Sequence, residues 1–200
     1  MNHIFLNKLP AVLGLGIVLA SGARAENVTF FDGGYSEICS GVAVNVGDVE
    51  HVELTGSRLG VPSIEICTKA IESGESSPEQ KAASYNNRGV LWFDEANYAN
   101  ALADFDAAIK TNDKLVPAYI NRGYTFIAMK QWQDSIAAFD QALTHGDLII
   151  EAPKVYYNRG LAHEELGHVR EAYYDYKKAS ELDPLWPQPQ AELSRFTVRK

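Results

Sequence analysis

One phrase recurs three times along this chain: Asn87-Arg88-Gly89, Asn121-Arg122-Gly123 and Asn158-Arg159-Gly160. The first two glycines are 34 residues apart and the next two 37. A period of this size specifies supersecondary units that stack and bury their apolar faces on their neighbours, not one globular core.

Other positions fall into the same register. Tyr85, Tyr119 and Tyr156 lie four residues before each glycine, and Trp92, Phe126 and His163 lie three after it. Spacings of four and three put these residues on one face of an α-helix. A second set follows with the same spacing: Ala101, Phe105 and Ala108; Ser135, Phe139 and Ala142; Ala172, Tyr176 and Ala179. Each unit therefore reads as two amphipathic helices whose glycine and alanines allow close approach while aromatic rings fill the gap.

On these residues, from Ala82 to Trp186, the chain resembles the tetratricopeptide-repeat family, whose pattern is aromatic, Asn-Leu-Gly, tyrosine, and later Ala, aromatic, Ala and Pro. The resemblance implies an all-α helix-turn-helix solenoid of three full repeats, 82–115, 116–152 and 153–186. Two departures stand out. Only the last unit keeps the closing proline, Pro184, where the earlier ones carry Asp113 and Asp147, and arginine replaces leucine before each glycine. Arg88 and Arg159 are expected to fold back onto Asp104 and Asp175 of the following helix. Ala138 offers Arg122 no such partner.

Upstream, Ile64, Cys67, Ala70 and Ile71 have helical spacing over 62–73, the second helix of a partial repeat within 26–81. Ser77-Pro78-Glu79-Gln80 predicts a capped helix start. Tyr35 to Ala43 reads as a partner helix and His51 to Leu54 as a short strand. The apolar run Leu148-Ile149-Ile150 predicts that the third repeat's first helix begins near Gly146, and 187–200 reads as a capping helix centred on Ala191 to Val198.

Residues 1–25 read as a cleaved export signal: Lys8, an apolar run from Ala11 to Ala20, then Ala23-Arg24-Ala25. The run is about ten residues, half of what a membrane span needs, so no stable insertion is expected after cleavage. The mature chain is then periplasmic or secreted. Cys39 and Cys67, the only cysteines, are expected to pair there, which would restrict the unfolded chain by roughly 3–4 kcal/mol.

Loss of Lys8 and Arg24, with no acid, takes the net charge from −8 to −10. An acidic chain whose basic cluster is only Arg195, Arg199 and Lys200 is not built to neutralise phosphates, which excludes nucleic acid. His163-Glu164-Glu165-Leu166-Gly167-His168 invites a zinc-protease reading, but its histidines are five apart, not four, and Gly167 sits at a turn. No nucleophile triad, phosphate loop or calcium loop is present. The chain reads as a non-enzyme without cofactor or metal.

What the resemblance leaves for function is the concave face lined by each repeat's first helix. Carried over by register, its positions are Asn86, Val90, Phe93 and Asp94; Ile120, Tyr124 and Ile127; and Lys154, Tyr157, Leu161, Glu164 and Glu165. Relatives that grip a C-terminal carboxylate use several Lys, Arg and Asn side chains; here only Asn86 and Lys154 could serve. An apolar, aromatic trough with an acidic end suits a peptide or protein partner presenting apolar side chains, with a basic residue near Glu164 and Glu165. A carrier of a small hydrophobic ligand, a structural subunit of an envelope assembly, and a trough filled by residues 26–60 or by the terminal helix remain open at this stage.

Overall fold

The computed structural model describes residues 3–6, 39, 63–74, 76–145 and 151–199. Among the described residues eight helices follow one another: α1 (Ser63–Glu72), α2 (Pro78–Asp94), α3 (Tyr98–Thr111), α4 (Val116–Ala128), α5 (Trp132–His145), α6 (Ala152–Glu165), α7 (Val169–Leu182) and α8 (Pro187–Leu193). Strands β1 (His3–Leu6) and β2 (Phe196–Arg199) pair antiparallel, with Ile4 opposite Val198. The expected partner helix, Cys39 aside, the strand over 51–54 and the early helix start at Gly146 fall outside the described residues. The chain divides within α4 into two compact bodies, Ala23–Thr125 and Met1–Gly22 with Phe126–Lys200.

In the Ala23–Thr125 body, the Cys39 and Cys67 sulfurs lie 2.14 Å apart in a cluster with Ile66, Ala70 and Leu91. Helix α2 starts as its sequence dictates. The Ser77 hydroxyl accepts from the Gln80 N–H, the Gln80 side chain accepts from the Ser77 N–H, and Pro78 opens the first turn. Such a cap contributes about 1 kcal/mol. Helices α2 and α3 pack through Gly89, where a β-carbon would lie 2.6 Å from the Phe105 ring. Hydrogen alone fits there, which is why this position is glycine.

The turn between these helices passes through Ala96 at φ +56, and Asn97 caps α3 by accepting from the Asn100 N–H. Lys130 at φ +58 and Gly167 at φ +76 occupy the same register position in the other repeats. The turn closing the first repeat lacks proline but is held by other groups. The Asn112 side chain accepts from the Lys114 N–H at 3.1 Å, and the Tyr119 hydroxyl donates to the Asp113 carbonyl at 3.1 Å.

In the second body, α6 and α7 repeat the close approach: a β-carbon on Gly160 would stand 2.9 Å from the Tyr176 ring. Helix α6 begins at Ala152 with Pro153 in its first turn and no side-chain cap from Glu151. The helix expected over 191–198 ends instead at Leu193. Phe196-Thr197-Val198-Arg199 is aromatic and β-branched, favouring a pleated strand, and it pairs with β1.

Candidate functional site

The arginine before each glycine lies over the tyrosine three residues earlier, 5.6, 5.6 and 5.3 Å from the ring centroid for Arg88, Arg122 and Arg159. From there each grips an acid. Arg88 donates from Nε and Nη2 to Asp104 at 2.8 and 2.7 Å and from Nη1 to Thr68 at 2.9 Å. Arg159 donates to Asp175 at 2.8 and 2.6 Å and to Asp140 at 2.5 Å. The expected brace within a repeat is present in both, and each arginine also ties its helix to the preceding one. The hydrogen bond that Arg88 donates to Asp104 raises the Arg88 pKa above its ordinary value. Burial works against the Arg159 charge, but the bonds to Asp175 and Asp140 outweigh it and raise its pKa. Arg122, whose repeat carries Ala138 at the sequence position of the forward acid, donates to Asp106 of α3 at 2.7 Å, as Arg159 does to Asp140. The repeated phrase is thus scaffold, and it fixes the register that decides which side chains face inward.

In the Ala23–Thr125 body, Asn86 does not line a groove. It is fully buried, accepting from the Asn121 amide at 3.0 Å and donating to Asn87 at 3.3 Å. Ile120 is buried too. The Asn86–Asn121 bond sets α2 beside α4. One helical turn further along the same faces stand Val90 and Tyr124, both half-buried, followed by half-buried Phe93 and exposed Asp94. Phe93 leans on Tyr98 with ring centroids 5.5 Å apart. Although much of the Asp94 residue reaches solvent, desolvation of its carboxyl pushes the pKa up to about 6. No ion pair to Asp94 is made among the described residues.

In the other body, Ile127, Lys154 and Leu161 are half-buried and Glu165 is exposed. Tyr157 is wedged between Tyr176, 5.6 Å away, and Trp186, 4.9 Å away, and burial pushes its hydroxyl up to about 12. Glu164, expected to meet a partner's basic residue, accepts from the Tyr176 hydroxyl at 3.0 Å and from Arg195 Nη2 at 2.5 Å. Burial, with the Glu164 charge behind it, raises the Tyr176 hydroxyl far out of the titrating range. Arg195 also pairs with Glu192. The acidic end therefore serves the chain's own C-terminal segment. Sequence reading placed that segment over the last repeat but gave Arg195 no partner, because nothing in the repeat register reaches past Trp186.

His163 and His168 meet across the α6–α7 turn, Nδ1 to Nδ1 at 3.3 Å. Burial lowers the His163 pKa. Among the described residues no group of three or more His, Cys, Asp or Glu side chains is placed to hold a metal, and no helix is long and apolar enough to cross a membrane.

The tetratricopeptide-repeat profile matches residues 153–184, the α6–α7 pair. Residues 153–184 form a tetratricopeptide repeat. The chain's fold is shared with several solved structures, two of them such repeat domains. The second such domain of human RPAP3, in complex with the HSP70 peptide SGPTIEEVD, is 25% identical with TM-score 0.55, the alignment covering 60% of this chain and 97% of that one. The Arabidopsis OM64 domain is 23% identical with TM-score 0.55, covering 60% and 96%. MamA from Desulfovibrio magneticus RS-1, residues 41 to the end, is 16% identical with TM-score 0.61, covering 80% and 82%. No curated protein sequence matches this repeat protein.

Proposed function

We propose that this tetratricopeptide-repeat protein works by binding, not by catalysis, and that its partner is an extended or helical peptide segment held on the inner face of the Ala23–Thr125 body. The observation that carries the reading is the Asn86–Asn121 bond, which sets α2 beside α4. By register, Val90, Phe93, Asp94 and Tyr124 then lie one turn and more along those faces, none of them buried. Two aromatic rings and a valine suit apolar side chains of a peptide. Asp94, whose charge is disfavoured by desolvation, suits a lysine or arginine beside them.

The likeness to a domain solved with a bound peptide supports the peptide class. That ligand's Glu-Glu-Val-Asp end is acidic, and the inner face here offers an acid, with the Asn86 amide already committed inside the protein. A basic, apolar peptide is therefore the better fit than an acidic one. The export signal at 1–25 and oxidation of Cys39 with Cys67 belong to the same proposal: a periplasmic or secreted module whose partial first repeat is pinned covalently. A panel of immobilised peptides tests the partner class. Peptides that bind should be basic and apolar, and should lose affinity at least about tenfold with Tyr124→Ala but keep it with Tyr157→Ala. Selection of acidic peptides, or indifference to Tyr124→Ala, would contradict it.

A further inference from the structure

The third repeat departs from the other two at two positions at once. Three residues after the glycine the first two repeats carry Trp92 and Phe126, and the third carries His163; eight after it they carry Asn97 and Gln131, and the third carries His168. Each histidine gives up a packing or capping role. Asn97 caps α3 through its side chain, whereas His168 stands at the start of α7 without a side-chain cap bond. Imidazole is also a smaller and more polar filler than indole or phenyl.

What the two substitutions gain is each other. Gly167, at φ +76, reverses the chain so that the rings meet with Nδ1 atoms 3.3 Å apart and planes inclined at 50°. Two imidazole nitrogens on one tetrahedral zinc ion, each at 2.0–2.1 Å, stand about 3.3–3.4 Å apart. Behind His163, the Asp175 carboxylate lies 4.0 Å from Nε2. That is too long for a hydrogen bond, but the carboxylate's charge favours the tautomer with the proton on the outer nitrogen and the inner one free to bind. Asp175, Glu171 and Arg159 are the charged groups acting on His163 besides its partner histidine, and they leave one net negative charge to receive a cation.

We propose that His163 and His168 are the Nδ1 ligands of a divalent late first-row metal ion, zinc or copper(II), with water completing its coordination. The site is a two-histidine chelate across a helix turn, unlike the zinc-protease arrangement in which both histidines share one helix face. His168 is exposed, so the ion enters without opening the fold. Both rings must be neutral with the proton on Nε2, and the metal replaces a direct N–H···N hydrogen bond between them.

Calorimetric zinc titration of the untagged chain tests this, with two variants that restore the other repeats' residues. His163→Phe restores the aromatic of the second repeat, and His168→Asn restores the cap of the first, so both should melt no lower than wild type without metal. One zinc ion per wild-type chain is expected, with affinity at least about tenfold weaker in each variant. Copper(II) in wild type should show hyperfine splitting from two imidazole nitrogens. A chain that takes no zinc overturns the proposal, leaving the pair a simple hydrogen bond. So does zinc binding that survives either substitution, which would place the ion at His3, His51 or His145.

Discussion

Arg122 bonds to Asp106 at 2.7 Å, one helix back along the chain, whereas Arg88 and Arg159 bond forward to Asp104 and Asp175. Arg88 and Arg159 also bond back, to Thr68 and Asp140, so what differs is the forward acid, whose position in the second repeat's sequence is Ala138. The difference is energetic as well as geometric, because the Asp104 side chain is 8% exposed and that of Asp106 61%.

Removing these acids should therefore have unequal effects. Asp104→Ala leaves the Arg88 guanidinium half-buried without its fork partner and should cost about 2–4 kcal/mol in urea unfolding. Asp106→Ala breaks a solvent-screened pair and should cost less than about 1 kcal/mol. Equal losses would show that the forward brace has no special role.

Gly89→Ala should cost about 1–3 kcal/mol, since the new methyl would meet the Phe105 ring at 2.6 Å and a packed ring cannot retreat. The combined change Gly89→Ala with Phe105→Leu should recover part of that loss, because the shorter side chain makes room. Thermal melting of the two proteins decides it.

Ala96 and Lys130 hold left-handed backbone at the position where the third repeat has Gly167. Ala96→Gly and Lys130→Gly should each stabilise the fold by up to about 1 kcal/mol, the strain relieved exceeding the added freedom of the unfolded chain. A lower melting temperature in both would mean that these turns are not strained.

Asp94 gives a pH signature. Its pKa is raised to about 6 from 3.8, so the folded protein holds this proton more tightly than the unfolded chain. Its contribution is neutral below pH 4 and becomes destabilising as pH rises through 6. Solvent screening of an exposed residue limits the effect to about 1 kcal/mol. Asp94→Asn should therefore raise the melting temperature at pH 7.5 and leave it unchanged at pH 3.5. A gain of equal size at both values would rule out the carboxyl as its source.

The repeats were legible because helix pairs leave a periodic record: the tyrosine, glycine and ring at four and three, then the alanines. The same register located the braces of Arg88 and Arg159. It failed where contacts leave the period. Asn86 looked like a lining residue by position, but its amide is consumed by Asn121 in the next repeat, and a single repeat's pattern cannot show its neighbour. Glu164 looked available until Arg195, beyond the last repeat, closed on it. The spacing of His163 and His168 with Gly167 at a turn was readable, but not that this turn folds the second ring back against the first.

Photocrosslinking from single positions tests the central claim most directly. A photoreactive phenylalanine analogue placed at Phe93, on the proposed binding face, should trap a partner in cells that make the protein. The same analogue at Ala103, exposed on α3, should trap none. Addition of Tyr124→Ala should abolish the product from position 93. Crosslinks from Ala103 alone, or a product from position 93 that survives Tyr124→Ala, would place the partner elsewhere and contradict the account.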